Sequence, residues 1–325
     1  MVNPSRSAFV TGGTGLVGSH LLRSLVVDGW DATALVRSDA GALTIHAAGG
    51  SPVFGDVTEP AGLPDAVAGA DVVFHVAGIN EGCPKDTAQM DDVNINGAVN
   101  VVEAAAQAGV GRVVLTSSVT AIGEGSGTVG DEKTEHSGTY PSAYARSKHL
   151  GEVAALHTAM RLGIDLVVVN PASVQGPGRS SGSAEIILRA LRTRRPWLVD
   201  VNVSIIDIAD SSRGHILAAE HGVAGERYIL SGATLSVSEA VTIIAPMLER
   251  QIRPRWIPRT VVRSIGIPLS RVVGGSKVCP DLVRSLLHGH SYDNTKSIVD
   301  LGMTYTPIEE TFASMIDWFR TEGLI

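Results

Sequence analysis

A tyrosine and a lysine lie four residues apart in the segment SAYARSK, residues 142–148, although the chain holds only five of each. In a helix this spacing places Tyr144 and Lys148 on one face, with their side chains in reach of each other. A positive charge beside a phenol favours the phenolate, so the pair could exchange a proton with a substrate. A half-buried tyrosine beside a solvated lysine would show the same spacing, so the pair alone does not establish acid/base chemistry.

A second pattern lies near the N-terminus. The segment FVTGGTGLVGSHLLRSLV contains Gly13-x-Gly15-x-x-Gly18, and equally Gly12-x-x-Gly15-x-x-Gly18, between an apolar run and a helix-like segment. Glycines allow a tight turn and close backbone approach, while a helix N-terminus offers free N–H groups to a pyrophosphate. A sharp strand-to-helix turn without a ligand would use the same glycines. In this context the pattern favours binding of a dinucleotide.

Short apolar runs alternate with helix-like segments through the first half of the chain, and these elements must position both motifs. The predicted strands are 7–11, 31–36, 51–54, 71–77, 112–117 and 165–170, and the predicted helices are 16–27, 39–48, 63–68, 87–108 and 141–162. Strands separated by helices predict an α/β fold with a Rossmann-type, doubly wound parallel sheet. Three of the runs are almost continuously apolar, as expected for strands that are buried on both faces.

The alternation weakens after residue 171, where the segment PASVQGPGRSSGS predicts a loop. The segment GERYIL, residues 225–230, predicts one more strand, and prolines interrupt the helix-like patterns between residues 231 and 290. We therefore expect a Rossmann domain at 1–170 with a returning segment near 201–230. A smaller, mainly C-terminal substrate-binding lobe is expected at 171–200 and 231–325.

Composition restricts the possible partners. A chain of 325 residues with 44% hydrophobic residues can bury a full core. Its net charge of −7 gives no polybasic character of the kind that nucleic-acid binding needs. The basic cluster Arg189, Arg192, Arg194 and Arg195 is expected to be a solvated helix end, with a substrate or phosphate role as the alternative. No run reaches the ~18 apolar residues of a membrane span, so no membrane association is expected.

The two cysteines, Cys83 and Cys279, are isolated in the sequence. Neither belongs to a CxxC motif or to a cysteine and histidine pattern with ligand spacing. The sequence therefore predicts neither a disulfide nor a metal site, and a reduced, cytoplasmic location is the default expectation.

The end of the second predicted strand, ALVRSDAG, bears on the choice of cofactor. A site for NAD normally has an acidic residue here, about twenty residues after the glycines, for the ribose 2′-hydroxyl. This chain instead has Arg37, which could bind a 2′-phosphate, and Ser38, which could add a hydroxyl. Asp39 is expected to cap the next helix. NADP(H) is therefore predicted over NAD, with a plain surface role for Arg37 as the alternative.

Seven segments stand in one order along the chain: the glycine turn, VFGDVTEP, VFHVAG, VNINGAVNVVEAA, VVLTSSVTAIG, YARSK and NPASVQGPG. With these segments the sequence resembles the extended short-chain dehydrogenase/reductase family, within the NAD(P)-dependent epimerase/dehydratase superfamily. The resemblance covers nearly the whole chain. It is nearest to the dihydroflavonol-reductase-like branch.

The resemblance implies roles for individual residues. Tyr144 corresponds to the family's general acid/base, Lys148 to the lysine that holds the cofactor ribose, and Ser118 to the serine that orients the substrate carbonyl. Asn94 corresponds to an asparagine with a structural or relay role. The residues implied in cofactor binding are Gly12, Thr14, Gly15, Leu16, Val17, Gly18, Arg37, Ser38, Asp56, Val57, Val76, Ala77, Gly78, Thr116, Tyr144, Lys148, Pro171 and Val174. Gly78 replaces an alanine that is usual in the family.

Departures from the family pattern narrow the chemistry. The family's sugar dehydratases carry an Asp-Glu pair shortly after the active-site serine or threonine, whereas Val119 and Thr120 follow Ser118 here. Ile122 stands where the epimerase-like motif has a tyrosine. A carbonyl reductase or alcohol dehydrogenase is therefore predicted, with a nucleotide-sugar epimerase or a non-catalytic dinucleotide-binding regulator as alternatives.

The substrate is expected to be a small carbonyl or alcohol compound bound by residues 79–92, 123–140 and 175–200. The low charge of these loops favours a mainly apolar ketone or alcohol, including a steroid-like one. The expected partners include no nucleic acid, no membrane and no metal, and a homodimer is left open.

Overall fold

The computed structural model describes residues 6–180, 182–248, 251–272 and 279–325. Its strands are β1 (Ser7–Thr11), β2 (Asp31–Val36), β3 (Ser51–Phe54), β4 (Val72–His75), β5 (Arg112–Thr116), β6 (Asp165–Pro171), β7 (Ser173–Gln175), β8 (Trp197–Leu198), β9 (Asn202–Asp207), β10 (Arg227–Leu230), β11 (Ala233–Ser236) and β12 (Arg255–Trp256).

Its helices are α1 (Leu16–Val27), α2 (Asp39–Ala47), α3 (Leu63–Val67), α4 (Thr87–Asp91), α5 (Gly97–Gln107), α6 (Ala143–Leu162), α7 (Ser183–Arg192), α8 (Ile208–His221), α9 (Val237–Ile244), α10 (Arg259–Val261), α11 (Ile267–Val272), α12 (Pro280–His288), α13 (Thr295–Leu301) and α14 (Ile308–Thr321). A π-helical turn, Asp92–Asn96, joins α4 to α5, so the segment predicted as one helix is nearly continuous.

The central sheet has seven parallel strands in the order β10-β6-β5-β4-β1-β2-β3. The order reverses between β1 and β4, which opens a crevice at the carboxyl ends of these strands, where ligands of such sheets bind. The predicted α/β class with a doubly wound parallel sheet is confirmed. Strand β10 lies within the segment predicted from GERYIL and adds the seventh strand beside β6.

Apolar side chains cover both faces of this sheet. One cluster includes Val10, Leu21 and Val114, and the cluster on the other side includes Phe9 and Val73. Successive residues of one strand, such as Phe9 and Val10, point to opposite faces, which explains why the buried strands are apolar at nearly every position.

A smaller lobe lies beyond β6 and has its own core. Leu188 of α7, Leu235 of β11 and the α14 residues Phe312 and Phe319 are buried together there. Two small sheets belong to this part of the chain, one in the order β11-β9-β7 and one that pairs β8 with β12. Within the described residues, no helix is both long and apolar enough to cross a bilayer.

The prediction that the cysteines are unpaired is wrong. Cys83, in the loop after β4, and Cys279, the N-cap of α12, are joined by a disulfide with their Cα atoms 5.7 Å apart. The two residues are 196 positions apart in the sequence. Because the fold alone brings the loop and α12 together, the local spacing of each cysteine carried no signal of the pairing.

Candidate active site

The turn between β1 and α1 leaves no room for side chains. Gly12 has a φ of 73°, and a Cβ there would lie 2.6 Å from the backbone nitrogen of Ala77. A Cβ on Gly18 would lie 2.2 Å from the carbonyl oxygen of Gly12. Gly15 is the N-cap of α1 and makes no side-chain cap, so N–H groups of the first turn are available to an anion. This cradle fits the pyrophosphate of a dinucleotide.

The residues predicted to bind the cofactor lie along the carboxyl edge of the sheet. They follow successive strands: Thr14, Leu16 and Val17 after β1; Arg37 and Ser38 after β2; Asp56 and Val57 after β3; Val76, Ala77 and Gly78 after β4; Thr116 at the end of β5; Pro171 at the end of β6; and Val174 in β7. The fold thus brings these positions to one edge, while their contacts with a cofactor stay a prediction.

Arg37 and Asp56 face each other across the ends of β2 and β3. The Arg37 guanidinium lies 3.5 Å from the Asp56 carboxylate, and its side chain is 72% exposed. Burial acts to raise the pKa of Asp56, but hydrogen bonds from Thr58 and the charge of Arg37 outweigh it and lower that pKa. Ser38, not Asp39, is the N-cap of α2, because its Oγ accepts the backbone N–H of Gly41. The expected capping role of Asp39 is therefore wrong.

His75 is a buried polar group that the sequence did not single out. Its Nδ1 lies 2.7 Å from the hydroxyl oxygen of Thr11, and the same hydroxyl accepts the backbone N–H of Ala77. Burial, together with the nearby charge of Lys148, lowers the pKa of His75 to about 3. The ring is therefore neutral at physiological pH and ties β1 to the loop after β4. Its only signal in the sequence is a histidine inside an apolar run.

Tyr144 lies in the first turn of α6 and is half-buried. Burial raises its pKa above the usual value, while hydrogen bonding with Ser118 and the positive charge of Arg179 oppose that rise. Ser118 lies two residues after the end of β5, and its Oγ accepts a 3.0 Å hydrogen bond from the Thr120 hydroxyl. The structure therefore brings the predicted acid and the predicted carbonyl-orienting serine together.

The charged neighbour of Tyr144 differs from expectation. Lys148 was expected to favour the phenolate, but Arg179 supplies the positive charge that acts on the phenol. Arg179 lies in the loop after β7 and donates a hydrogen bond from Nη1 to the carbonyl oxygen of Val174. No motif in the sequence pointed to this arginine, because the sequence does not reveal how the loop folds back.

Lys148 is buried one helical turn after Tyr144. Its Nζ donates a 2.7 Å hydrogen bond to the carbonyl oxygen of Thr116 at the end of β5. Burial lowers the pKa of Lys148 to about 8, and the Glu152 carboxylate acts in the opposite direction. A Cβ on Gly78 would lie 3.7 Å from Nζ. The ammonium group therefore lies beside the predicted cofactor loop.

Asn94 closes the other side of that loop. Its Oδ1 accepts the backbone N–H of Ile79, and its Nδ2 donates to the carbonyl oxygen of Ile79 and to the hydroxyl of Ser147. A Cβ on Gly78 would lie only 3.1 Å from Asn94 Oδ1, which explains why glycine suits this position. The contacts of Asn94 are those of a structural residue that fixes the loop against α6.

Glu152 lies one turn beyond Lys148 and belongs to a buried polar network. Its carboxylate accepts a 2.8 Å hydrogen bond from Asn170 Nδ2 and lies 3.3 Å from the Arg227 guanidinium. Asn170 Nδ2 also donates to the carbonyl oxygen of Ser118. The network thus connects the helix that carries Tyr144 to the backbone of Ser118. The periodicity of Tyr144, Lys148 and Glu152 along one helical face was its only available signal.

A second buried carboxylate lies in a segment predicted to line the substrate pocket. Glu124 accepts a 2.7 Å hydrogen bond from the Tyr292 hydroxyl and lies 3.4 Å from the rings of both His288 and His290. Burial acts to raise its pKa, but the hydrogen bonds from His288, His290 and Tyr292 outweigh it and lower that pKa to about 2. Glu124 therefore links the loop after β5 to the lobe. Among the described residues, no group of three or more His, Cys, Asp or Glu has a geometry suited to a metal ion.

The fold and this edge of the sheet define a dinucleotide-binding enzyme of the Rossmann type. The model of the NAD dependent epimerase/dehydratase family matches residues 8–231. The chain therefore belongs to the NAD-dependent epimerase/dehydratase family, and within it is an NAD(P)-dependent oxidoreductase of the extended short-chain dehydrogenase/reductase type.

Relatives named as reductases are similar over nearly the full length. A dihydroflavonol 4-reductase-like protein of Synechocystis is 33% identical, with 98% of this chain and 95% of the relative covered. Anthocyanidin reductase of Vitis vinifera is 32% identical, with 98% and 97% covered. Among solved structures, gox2253 is 26% identical and matches 99% of this chain and 100% of its own with a TM-score of 0.86. The predicted resemblance is confirmed.

Proposed function

We propose that the protein is a carbonyl reductase that converts a ketone or aldehyde to an alcohol, and in reverse an alcohol dehydrogenase. The observation that carries this proposal is that Tyr144 and Ser118 lie beside each other at the carboxyl edge of the sheet, while Lys148 is buried one helical turn away beside the cofactor loop. An acid, a carbonyl-orienting hydroxyl and a buried cation are the groups that carbonyl reduction requires.

The chain's residues divide the work as follows. The nicotinamide, when bound, supplies the hydride that the carbonyl carbon receives. Ser118 Oγ donates a hydrogen bond to the carbonyl oxygen and orients it, and Tyr144 gives that oxygen its proton. Lys148 holds the cofactor ribose, and Arg179 provides the positive charge that acts on the phenol as it loses its proton. The phenolate then recovers a proton from solvent, so protons and charges balance.

The protonation state of Tyr144 supports the reductive direction. Because burial raises its pKa, the phenol is protonated at neutral pH and can act as an acid. Alcohol oxidation needs the phenolate and is therefore expected to become faster as the pH rises. The charge of Arg179 opposes the rise in the Tyr144 pKa, so it supports the reverse reaction as well.

NADPH is the proposed cofactor in preference to NADH. Arg37 is largely exposed at the end of β2, and its contact with Asp56 is a long 3.5 Å ion pair. A 2′-phosphate could replace or share this contact through a charge-assisted hydrogen bond, which is stronger than a neutral one. Ser38 is the N-cap of α2, and its backbone and hydroxyl lie next to the same position.

The proposed substrate is a mainly apolar ketone or aldehyde, bound between the edge of the sheet and the lobe that we place at residues 171–200 and 231–325. Two of the relatives described above are named as reductases of a dihydroflavonol and of an anthocyanidin. Glu124 Oε1 is held by Tyr292 and lies beside His288 and His290, which indicates a structural role for this carboxylate.

A panel of ketones, aldehydes and secondary alcohols, offered with NADPH and NADH, tests the proposal. We expect stoichiometric oxidation of NADPH and formation of the alcohol with apolar ketones or aldehydes. Interconversion of nucleotide sugars without net consumption of cofactor would assign an epimerase instead. Tight cofactor binding without turnover on any compound would assign a binding protein, and either result would overturn the proposal.

A further inference from the structure

The disulfide between Cys83 and Cys279 joins two segments that are distant in the sequence. Cys83 follows β4 of the central sheet, and Cys279 is the N-cap of α12 in the C-terminal part of the chain. The chain holds only these two cysteines. Both are half-buried, and the neighbouring residues Gly82 and Lys85 are exposed. A thiol from outside can therefore reach the bond, and accessible disulfides exchange more readily than buried ones.

The segment around Cys83 has few other attachments. We call residues 80–85 the Cys83 loop. Ile79, just before it, is fixed by hydrogen bonds with the side chain of Asn94, and Asp86, just after it, is the N-cap of α4. Within the described part of the chain, no backbone group of the Cys83 loop is hydrogen-bonded to another backbone group. Segments with so few contacts open more easily than the rest of a fold.

The Cys83 loop lies against the first turn of α12. A Cβ on Gly82 would lie 3.1 Å from Leu282 Cδ1, so the loop backbone touches this side chain. The Sγ atom of Cys279 lies 3.2 Å from the carbonyl oxygen of Gly82. The disulfide adds a covalent link to these two weak contacts, and it is therefore the main attachment of the loop to α12.

Helix α12, in contrast, is anchored without the disulfide. Asp281 Oδ2 accepts a 2.9 Å hydrogen bond from the backbone N–H of Ala143, and Arg284 Nε donates to the carbonyl oxygen of Pro141. Ala143 directly precedes Tyr144 in the chain. Because these contacts do not involve the cysteines, cleavage of the disulfide leaves α12 beside the start of α6 and frees the Cys83 loop.

Both partners of the disulfide adjoin the candidate active site. The Cys83 loop begins two residues after Gly78, where a Cβ would lie 3.7 Å from Lys148 Nζ. On the other side of the bond, α12 contacts the residues just before Tyr144. The bond thus connects the segment that leads from the cofactor loop to the helix that supports the proposed acid.

We propose that this disulfide is a redox-controlled clamp on the substrate site. In the oxidised protein it holds the Cys83 loop against α12. Its reduction releases the loop and weakens the binding of the carbonyl compound, while the cofactor and Tyr144 keep their places. The effect on substrate binding rests on the proposed function, whereas the release of the loop does not.

The reductant is a dithiol. One of its thiolates attacks a sulfur of the disulfide, so that the S–S bond breaks and the other cysteine leaves as a thiolate that takes up a proton. The second thiol of the reductant then attacks the mixed disulfide and releases the remaining cysteine. The protein gains two electrons and two protons, and the dithiol becomes a disulfide. An oxidised dithiol reverses both steps.

Steady-state kinetics of the full chain, with and without dithiothreitol, test the effect on substrate binding. We expect the KM of the best ketone to rise about five- to tenfold on reduction, which is the effect of ordering about one side chain, with kcat changed less than about twofold. Cys83→Ser and Cys279→Ser should each show the raised KM and should not respond to dithiothreitol. The dissociation constant of NADPH should stay unchanged in all forms, which also checks that they fold.

Limited proteolysis tests the release of the loop independently of turnover. Endoproteinase Lys-C should cleave after Lys85 at least ~10-fold faster in Cys83→Ser than in the oxidised wild type. Cleavage after the exposed Lys133 provides an internal reference. It should not change, because Arg227 holds the carbonyl oxygens of the two residues that flank Lys133.

A matched control weakens the other end of α12. Ser126→Ala removes the hydrogen bond that the Ser126 hydroxyl donates to the carbonyl oxygen of His288. This variant should leave both cleavage after Lys85 and the response to dithiothreitol as in the wild type. A similar increase in Lys85 cleavage in Ser126→Ala would show that any loosened contact of α12 frees the loop, and would overturn a specific role of the disulfide.

Three further results would overturn the clamp. They are equal cleavage after Lys85 in the oxidised and reduced proteins, faster cleavage without a change in KM, and loss of NADPH binding on reduction, which would show that the bond only supports the fold. Absence of turnover with every carbonyl compound would contradict the proposed function instead. Cleavage after Lys85 would then still decide whether the disulfide holds the loop.

Discussion

The buried edge of the sheet and the basic helix, the exposed helical segment 259–270 of the lobe, differ in how their charged groups are held. At the edge, Lys148 donates to a backbone carbonyl and Glu152 is bonded to Asn170 and lies beside Arg227, and both residues are buried. On the basic helix, Arg263 is exposed and forms no ion pair among the described residues. Polar groups in the first region are fixed by the protein, whereas those in the second are available to a partner.

This difference indicates that the two regions have different roles, with chemistry at the buried edge and recognition at the exposed helix. A catalytic group works best when its position is fixed before the substrate arrives, since no reorganisation is then needed during the reaction. Charged groups on an exposed surface can remain without an ion-pair partner until that surface binds another molecule. The predictions below test the fixed region first, because changes there should have the larger effects.

Tyr144→Phe should have the largest effect, because it keeps the ring and its packing but removes the proton. We expect turnover of the best ketone to fall by ~10²–10⁴-fold, with dinucleotide binding unchanged. Lys148→Ala should weaken cofactor binding and turnover together. Near-wild-type rates for Tyr144→Phe would show that the proton comes from another group. Loss of folding in this variant would show that Tyr144 is chiefly a packing residue.

The buried histidines should make the fixed region sensitive to acid. His215 of α8 is buried, with its Nε2 2.8 Å from the hydroxyl oxygen of Thr116 at the end of β5. Burial lowers the pKa of His75 to about 3 and that of His215 to about 4, whereas the unfolded chain takes up these protons below about pH 6.5. The free energy of unfolding should therefore decrease as the pH falls, by about 2 kcal/mol for each histidine between pH 6.5 and 5. Urea unfolding across this range measures the slope.

Two comparisons identify the source of this slope. His215→Gln should make it shallower, while replacement of the exposed His221 should not change it. Glu124, with its pKa lowered to about 2, stabilises the fold above pH 4.5 and loses that contribution only below it, outside this window. A stability that does not change between pH 6.5 and 5 would contradict the neutral, buried state of both rings.

Arg37→Ala tests the cofactor preference at the rim of the fixed region. Loss of a charge-assisted contact with a 2′-phosphate should weaken NADPH by about 1.5–3 kcal/mol, roughly ten- to a hundredfold in the dissociation constant, and leave NADH unchanged. Titration of both cofactors into both proteins measures this. Equal weakening of the two, or tighter wild-type binding of NADH, would rule out the assignment of Arg37.

Glu152→Gln should give the smallest effect on rate at neutral pH, a few-fold at most. The Glu152 carboxylate raises the pKa of Lys148, so its neutralisation should lower that pKa further below about 8. The rate of carbonyl reduction, which needs the protonated lysine, should then decline at a lower pH than in the wild type when the pH is raised. Glu103→Gln provides the control, because Glu103 of α5 forms an ion pair with Arg161 of α6 at the protein surface. An unchanged pH profile would mean that Glu152 only supports the fold.

Local patterns were sufficient to predict the sheet and part of the site. The predicted strands 7–11, 31–36 and 51–54 have the bounds of β1, β2 and β3, because each is a short run with apolar residues that stands between turn residues and a helix-like segment. The spacing of Tyr144 and Lys148 predicted one helical face, and α6 carries both residues. The glycine turn was predictable since only glycine fits its backbone.

Long-range contacts were not accessible to the same reasoning. Nothing near Cys83 indicates that Cys279 lies beside it, and nothing near Arg179 indicates that it faces Tyr144. Such features depend on how distant segments come together in the folded chain.

Transfer of deuterium from the cofactor tests the central claim most directly. The claim is that a nicotinamide bound at this edge of the sheet gives hydride to a substrate carbonyl while Tyr144 supplies the proton. NADPH that carries deuterium at both C4 positions should be incubated with the best ketone and with wild-type or Tyr144→Phe protein in a single turnover. We predict that the deuterium appears on the carbinol carbon of the alcohol, and that Tyr144→Phe forms the same labelled product ~10²–10⁴-fold more slowly. Product without deuterium at that carbon, or equal rates for the two proteins, would contradict the account.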